Sequence, residues 1–444
     1  MVSEDLMRSF EQVGRDALAN DGIVSIWLVN KLIVVLADPN DIEVVMKECL
    51  DKDKINDVAK DLVGSGSIIA PALIWRPRRK ILAPTFAPKT LNGYVQIFVK
   101  QSDIFLDILS NSEGNGDLSI FDKATRYSMD SICETTLDTD IKCQSQPDHP
   151  VLESFATFCK LVVLRAARPW YHSDQIYKWC SDYPHFQNSI AVLKQFIKEI
   201  IASKREQLTK IDKKVIKVQS LLDLLMSSDD GKGFSDLELQ EETLVVVLAG
   251  TDTSAAGASF AALLMAKHSD VQEKVYRELM DVLGNRPVQA EDLPKLKYLE
   301  AVLKETLRLY PPVPLLFKKS QNNLKLSSEV TLPSDLTIAV NIWALHRNIK
   351  YWGDDAEIFR PERFFGNTPT HQYAYVPFGK GPRMCLGANY AMLSMKTVLA
   401  SLVRRFRLLP PTAGFEAGEL PTKFEIMLKH VGNFELQLAR RIKD

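Results

Sequence analysis

Near the C-terminal end of the chain, one cysteine stands at fixed offsets from glycines, an arginine and a phenylalanine. Cys385 follows Phe378, Gly381 and Arg383 and precedes Gly387. A thiolate that ligates iron must stay anionic, be shielded from water and accept hydrogen bonds from backbone amides, and glycines let those amides approach closely. The apolar periodicity that follows predicts a helix that begins at Cys385, and the positive end of its dipole favours a thiolate. The alternative is a cysteine that serves only as a small buried apolar residue.

The surroundings of this cysteine favour a ligand loop. Residues 378–387 fit the pattern F-x-x-G-x-R-x-C-x-G and resemble the haem-binding loop of the cytochrome P450 superfamily, the haem-thiolate monooxygenases. The resemblance implies that Cys385 is the axial ligand of a haem b. It also implies a mostly α-helical fold with a small β region and a long central helix across the haem. The motifs are closest to the fatty-acid and xenobiotic hydroxylases of animals and insects, the family 4 type.

A polar motif interrupts a long apolar stretch in the middle of the chain. Residues 249–254 read AGTDTS and resemble the oxygen-activation motif of the family, which implies catalytic roles for Asp252 and Thr253. Cleavage of dioxygen consumes protons, and an acid and a hydroxyl in an otherwise dry helix can relay them. Gly250 would let the helix widen, whereas the alternative is that the hydroxyls only bond back to the preceding turn. Ala249 lies where many fatty-acid-hydroxylating relatives carry a glutamate linked covalently to haem, so the resemblance implies a non-covalent cofactor.

Glu305 and Arg308 lie three positions apart and therefore share one face of a predicted helix. On an ordinary helix such a pair would be solvated and would contribute little to stability. Arg363 follows within the sequence FRPERF, in the order and approximate spacing of the superfamily. The resemblance implies a buried charge triad that locks the coil behind the haem, and loss of one member would leave a buried uncompensated charge.

A basic segment carries a tryptophan and an arginine four positions apart, Trp75 and Arg79, which face the same way on a helix. Pro77 is then expected in the first helical turn, where its missing amide is harmless. The alternative is a solvated basic run. The W-x-x-x-R pattern resembles the propionate contact of the family, which implies the same role for Arg383 and for Lys318, where relatives often carry arginine or histidine.

The elements that must position these motifs follow from apolar periodicity. Alternation predicts strands over 23–29 and 32–36, and a helical pattern follows over 41–46. A large helical body follows, with predicted helices over 98–109, 124–136, 152–164, 190–207, 216–226, 271–283 and 298–309. Further strands are predicted over 324–326 and 336–342. An irregular, aromatic-rich coil over 351–375 then leads into the cysteine loop, and coils of that length are generally functional.

Residues 243–266 are long and apolar enough to cross a bilayer, with a single charge, Asp252, near the middle. That charge would be costly in lipid, and the flanks lack the Lys/Arg asymmetry and the aromatic belt of a spanning helix. The sequence therefore predicts a buried central helix, with a membrane span as the alternative.

The overall composition limits the class of protein. Lys plus Arg total 55 and Asp plus Glu total 56, so nucleic acid is not an expected partner. The six cysteines show neither C-x-x-C spacing nor a nearby histidine cluster, so neither a zinc site nor a disulfide framework is expected. No linker is evident, and residues 1–444 are expected to form one catalytic domain. The apolar anchor and Pro-rich hinge of microsomal relatives are absent from this sequence.

The chain carries no dinucleotide-binding G-x-G-x-x-G pattern, so its electrons must come from another protein. The resemblance implies NADPH-cytochrome P450 reductase, with cytochrome b5 as a second donor. A basic docking face is expected to include Arg76, Arg78, Lys80, Lys380 and Lys396.

The resemblance also implies dioxygen and a hydrophobic small-molecule substrate, such as a fatty acid, a lipid-derived signal or a xenobiotic. It implies peripheral contact with the cytoplasmic face of the endoplasmic reticulum membrane. Two alternatives stay open at this point. One is a related enzyme that isomerises or dehydrates oxygenated lipids without dioxygen, and the other is a haem sensor or carrier without turnover.

Overall fold

Helices make up most of the described chain. A computed structural model describes residues 2–28, 31–146, 148–210, 220–227, 234–366 and 369–441. The described α-helices are α1 (Val2–Ala19), α2 (Pro39–Glu48), α3 (Lys60–Val63), α4 (Ala72–Leu82), α5 (Pro88–Ser110), α6 (Ile120–Leu137), α7 (Pro150–Ala167), α8 (Asp174–Tyr177), α9 (Asp182–Lys210), α10 (Leu221–Ser227), α11 (Asp236–Lys267), α12 (Ser269–Leu283), α13 (Lys297–Leu309), α14 (Ile342–Leu345), α15 (Ile349–Trp352) and α16 (Ala388–Arg405). Short 3-10 helices cover Lys54–Ala59, Ala83–Phe86, Pro169–His172, Leu293–Lys295 and Pro361–Phe365.

The strands form small sheets at the edges of the helical body. They are β1 (Ile23–Leu28), β2 (Lys31–Leu36), β3 (Leu118–Ser119), β4 (Leu315–Lys319), β5 (Leu324–Lys325), β6 (Thr331–Leu332), β7 (Thr337–Asn341), β8 (Phe406–Leu409), β9 (Thr422–Glu425), β10 (Met427–His430) and β11 (Glu435–Arg440). One sheet has the order β1-β2-β7-β4, with β2 parallel to β7 and the other neighbours antiparallel. A second sheet has the order β3-β11-β8, and the hairpins β9-β10 and β5-β6 are separate. The mostly α-helical fold with a small β region is the one that the sequence predicts.

Most predicted elements fall on observed ones, with shifted ends. The predicted helix over 298–309 corresponds to α13, and the one over 271–283 to α12. The predicted helix over 216–226 ends in α10, whereas its residues 216–219 lie outside the described residues. The last residue of the predicted first strand, Val29, also lies outside them. The sequence reasoning missed the β9-β10 hairpin, because its short strands carry little apolar alternation.

The central helix α11 runs through the interior. Its first turn carries a capping box, in which the Ser235 hydroxyl accepts from the Glu238 amide and the Glu238 carboxylate accepts from the Ser235 amide. Among the described residues it is the one helix long and apolar enough to cross a membrane, and 78% of its most apolar window is buried inside the protein. This is the buried central helix that the sequence predicts.

Two glycines let neighbouring helices approach α11 closely. A Cβ at Gly250 would lie 2.9 Å from Cδ1 of Ile132 on α6, and a Cβ at Gly257 would lie 2.7 Å from Sδ of Met395 on α16. The helix remains α-helical through Gly250, so the expected widening at that position is wrong. A larger residue at position 250 would force the Ile132 side chain on α6 to move.

Candidate functional site

The cysteine loop is closed by backbone hydrogen bonds. The Cys385 amide donates to the Phe378 carbonyl at 2.9 Å, and the Met384 amide donates to the Gly381 carbonyl at 3.1 Å. Gly381 has a φ of 75°, and a Cβ there would lie 2.8 Å from the carbonyl oxygen of Met46 on α2. The loop thus rests on α2 at a position where only glycine fits without strain.

The helix after the cysteine begins later than predicted. Gly387 is the N-cap of α16, which starts at Ala388, so the predicted start at Cys385 is wrong by three residues. The turn between them aims the Gly387 amide at the Cys385 sulfur, and this hydrogen bond lowers the pKa of the thiol. Burial raises that pKa more strongly, and the positive charge of Arg79 lowers it. The thiol lies deep in the protein yet is exposed, because it faces an internal space.

The central helix borders an internal space at three positions. From Leu239 to Ala266 every residue of α11 is buried except Ala249, Gly250 and Thr253. These three lie at i, i+1 and i+4 and therefore on one face of the helix. Open surface in the middle of an otherwise buried helix, together with the exposed Cys385, fits a large apolar cofactor held inside the protein.

Asp252 and Thr253 are adjacent in sequence but point in different directions. The Thr253 hydroxyl donates to the Ala249 carbonyl at 2.7 Å, as the back-bonding alternative expects. Asp252 is only 3% exposed, and its Oδ2 lies 3.5 Å from Nζ of Lys429. Burial raises the pKa of Asp252 above its ordinary value, and the charge of Lys429 offsets part of that rise. Within the described residues no hydrogen bond joins the two side chains, so the predicted pair is not in direct contact.

The predicted propionate anchors converge near the cysteine loop. The Arg383 guanidinium lies 4.3 Å from the ring centroid of Trp75, and that of Arg79 lies 5.7 Å from it. Arg79 donates to the Met384 carbonyl at 2.7 Å, which ties α4 to the loop. Pro77 lies in the second turn of α4, so its expected place in the first turn is wrong. Because Pro77 has no amide hydrogen, the Leu73 carbonyl lacks its helical hydrogen bond. Leu73 is 88% exposed, so water can bond to that carbonyl instead.

A buried cation beside Arg383 forms no ion pair within the described part of the chain. Lys318 on β4 is 1% exposed, and its Nζ has no hydrogen-bond partner among the described residues. Burial, then the charges of Lys52 and Arg383, lower the pKa of Lys318 to about 7. Burial and Arg383 lower the pKa of Lys52 to about 8. The Asp51 carboxylate is one negative charge near these three cations, and it cannot offset all of them. The carboxylates of a haem would supply the remaining negative charge, so the donor set fits haem.

Lys52 is the residue of this cluster that sequence reasoning missed. It pairs with Lys318 in an isolated β-bridge between segments far apart in the chain. No local pattern marks that pairing, so only the fold could reveal it.

Glu305, Arg308 and Arg363 come together in the interior. The Glu305 carboxylate accepts from Nε of Arg308 at 2.7 Å and from Nε of Arg363 at 2.9 Å. Glu305 and Arg308 are fully buried, and Arg363 is 5% exposed. Arg308 also donates to the His346 carbonyl, just after α14, at 2.8 Å and to the Ala356 carbonyl, on the coil that leads to the cysteine loop, at 2.5 Å.

The expected basic docking face is only partly at the surface. Arg78 is buried and pairs with Glu242 at 2.8 Å. Lys396 is also buried and pairs with Glu300 at 3.0 Å. Their inclusion in a docking face is wrong, because both charges are needed to offset carboxylates inside the protein. Arg76 and Lys80 are exposed, whereas Lys380 is half-buried, and they remain available for docking.

Comparison with known proteins agrees with this arrangement. The family described as Cytochrome P450 matches residues 17–434. The chain is 32% identical to cytochrome P450 4d2 of Drosophila melanogaster over 406 residues, which cover 87% of this chain and 81% of that protein. It is 29% identical to cytochrome P450 4d8 of Drosophila melanogaster, covering 98% of this chain and 97% of that protein. It is also 29% identical to cytochrome P450 4V2 of Homo sapiens, covering 95% of this chain and 83% of that protein.

These matches confirm the predicted resemblance, including its family 4 type. They imply a haem-thiolate cofactor, a redox partner, dioxygen and a hydrophobic substrate. The chain therefore belongs to the cytochrome P450 family and is a monooxygenase.

Proposed function

We propose that this enzyme inserts one atom of dioxygen into a fatty acid, a lipid-derived signal or a xenobiotic, with electrons from NADPH through a separate flavoprotein reductase. The observation that carries the proposal is that Ala249, Gly250 and Thr253 form an open face in the otherwise buried middle of α11, while Cys385 is also exposed. The matched family region spans residues 17–434 and supports one catalytic domain over the chain. The neighbouring side chains of α7 and α11, including Phe155 and Val245, are apolar and suit a hydrophobic substrate.

The cysteine loop would bind the iron of the cofactor. Haem b, when bound, supplies the activation of dioxygen. Cys385 holds it through its sulfur, with Phe378, Gly381 and Gly387 shaping the loop.

A second group of residues would hold the carboxylates of the cofactor. These residues are Trp75, Arg79, Arg383 and Lys318, together with Lys52. Ala249 offers no carboxylate for a covalent link, so cofactor attachment is non-covalent.

Two residues of the central helix α11 would hold and transfer protons. Thr253 presents its hydroxyl at the edge of the internal space, and Asp252 can hold a proton at Oδ2 on the adjacent flank. The triad of Glu305, Arg308 and Arg363 supports the coil behind the cysteine loop.

Turnover with candidate substrates tests the proposal. The holoenzyme, a microsomal reductase and NADPH are incubated with saturated and unsaturated fatty acids and with a xenobiotic panel, under isotopically labelled dioxygen. One labelled oxygen atom per product supports the proposal. Product without label and without NADPH consumption would indicate the isomerase or dehydratase alternative. Substrate binding without any product would indicate a sensor or carrier.

The electron donor we propose is NADPH-cytochrome P450 reductase, with cytochrome b5 as a second donor. The exposed pair Arg76 and Lys80 on α4 supports docking of an acidic flavoprotein. Replacing both with Glu should slow reduction by the reductase and weaken its salt dependence. A double change of comparable charge at Lys325 and Lys350, which lie elsewhere on the surface, should leave the rate unchanged. Equal rates in both variants would rule out this docking face.

The location we propose is the cytoplasmic face of the endoplasmic reticulum membrane, with peripheral contact. Three apolar side chains between α7 and α9 support it, because Trp170, Ile176 and Trp179 are 59%, 50% and 92% exposed. Lipid vesicles of microsomal composition should pull down this chain, and Trp170→Ser with Trp179→Ser should weaken that binding. A chain that stays in the supernatant with microsomes would contradict the proposal.

A further inference from the structure

A lysine on the β9-β10 hairpin reaches the middle of the central helix. Nζ of Lys429 lies 3.5 Å from Oδ2 of Asp252 and 3.8 Å from Oε2 of Glu425. The Lys429 side chain is 11% exposed, and its Nζ lies 4.8 Å from the ring centroid of Phe121 on α6. A charge enclosed to this degree is stable only beside an opposite charge, and Asp252 supplies the nearer of two carboxylates, with Glu425 as the other.

The negative charge of Asp252 in turn needs the positive charge of Lys429. Its Oδ2 accepts no hydrogen bond from the described residues, and Lys429 is the one described cation within ion-pair distance of it. The other titratable groups that face the pair are Cys159 on α7 and Glu425 on the hairpin, and neither offsets a negative charge. Without Lys429, the pKa of this buried carboxyl would rise further, because burial alone favours the protonated form.

The hairpin is well placed to hold the lysine. Its turn residue, Ile426, has a φ of 64° and packs against a large apolar cluster that includes residues of α7, α9 and α11. The Leu428 amide donates to the Pro312 carbonyl at 2.8 Å, which fixes β10 to the segment after α13.

We propose that Lys429 is the positioning residue of Asp252 and keeps its carboxylate ionised and fixed on the flank of α11, next to the face that carries Thr253. The inference deepens the proposed monooxygenase function and rests on it for its role in turnover. An ionised carboxylate can accept a proton at Oδ2 and release it again, whereas a buried acid that is already protonated cannot accept one. Lys429 thereby sets the state from which proton delivery begins.

Three substitutions separate this role from packing of the hairpin. Lys429→Met removes the charge and keeps most of the length, and Lys429→Arg restores the charge. Lys423→Met is the matched control, because Lys423 lies directly across the hairpin from Lys429 but pairs with Glu425, at 3.1 Å. If Lys429→Met does not fold, Lys429→Gln, which keeps a hydrogen-bond donor, replaces it.

The first readout needs neither substrate nor reductase. Difference infrared spectra at pH 7, each taken against the same protein with Asp252→Asn, report whether Asp252 is a protonated carboxyl. We expect the C=O stretching band of a protonated carboxyl in Lys429→Met. We expect no such band in the wild type, in Lys429→Arg or in Lys423→Met. The second readout is product formed per NADPH consumed. Among these variants only Lys429→Met should lower it, by about a hundredfold, the low end of the roughly 10²- to 10⁴-fold that one proton-transfer group contributes.

The outcomes are distinct. Absence of the protonated band in Lys429→Met, or an equal effect of Lys423→Met on both readouts, would overturn the inference. If the wild type makes no product, the proposed function fails, while the infrared spectra still decide whether Lys429 keeps Asp252 ionised.

Discussion

Glu305→Gln tests how the buried triad supports the coil behind the cysteine loop. The Glu305 carboxylate accepts from two nitrogens of Arg308, at 2.7 and 2.8 Å, from Nε of Arg363 at 2.9 Å and from the Arg360 amide at 2.9 Å. The amide would leave two buried guanidinium groups without this anion. For Arg363 one further carboxylate remains, that of Asp355 at 3.4 Å. Breaking a buried pair costs about 3 to 5 kcal/mol.

The size of the thermal shift follows from chain length. An unfolding entropy of about 2.1 cal/mol/K per residue, over 444 residues, amounts to roughly 0.9 kcal/mol/K. The Glu305→Gln holoenzyme should therefore unfold about 3 to 5 °C below the wild type. Differential scanning calorimetry at one fixed scan rate measures the shift, because large proteins often unfold irreversibly.

A surface pair provides the control. Glu329 pairs with Lys325, and their side chains are 78% and 63% exposed. Glu329→Gln should shift the midpoint by less than about 1 °C, since exposed pairs contribute about 0 to 1 kcal/mol. If Glu305→Gln shifts the midpoint no more than Glu329→Gln, the reasoning that the triad is a buried support is refuted.

Three further predictions address the cofactor face. In protein stripped of haem, native Lys318 loses its proton near pH 7 while the unfolded chain keeps it to about 10.4. The free energy of unfolding should therefore rise with pH between those values, by up to ~1.4 kcal/mol per unit, and Lys318→Met should reduce that rise in urea titrations. Thr253→Ala should raise hydrogen peroxide release at the expense of product, and unchanged coupling would remove Thr253 from the mechanism. Gly250→Ala places its Cβ 2.9 Å from Ile132, so it should destabilise the protein by about 1 to 3 kcal/mol, and an unchanged urea midpoint would contradict that.

Local motifs predicted much of the site. The spacing around Cys385 predicted the ligand loop, and helical spacing predicted that Glu305 and Arg308 share a face, because both patterns lie within a few residues. The start of α16 was misplaced, because Leu386 and Gly387 form a turn that aims an amide at the sulfur and apolar periodicity does not report such turns.

Contacts between distant segments could not be predicted in the same way. Lys52 meets Lys318 through a β-bridge, and Lys429 meets Asp252 through a short hairpin. In the sequence, Lys52 and Lys429 each look like an ordinary surface lysine. The sequence also does not show which basic residues are buried and which are available for docking. Arg78 offsets the Glu242 carboxylate inside the protein, so it cannot belong to a docking face.

The absorption spectrum of the reduced, carbon monoxide-bound protein tests thiolate ligation by Cys385 most directly. The wild type should show the long-wavelength Soret band of a haem with a thiolate ligand, and Cys385→Ser should lose that band while circular dichroism shows that the helices remain. A Soret band that persists unchanged in Cys385→Ser would contradict the assignment of Cys385 as the ligand.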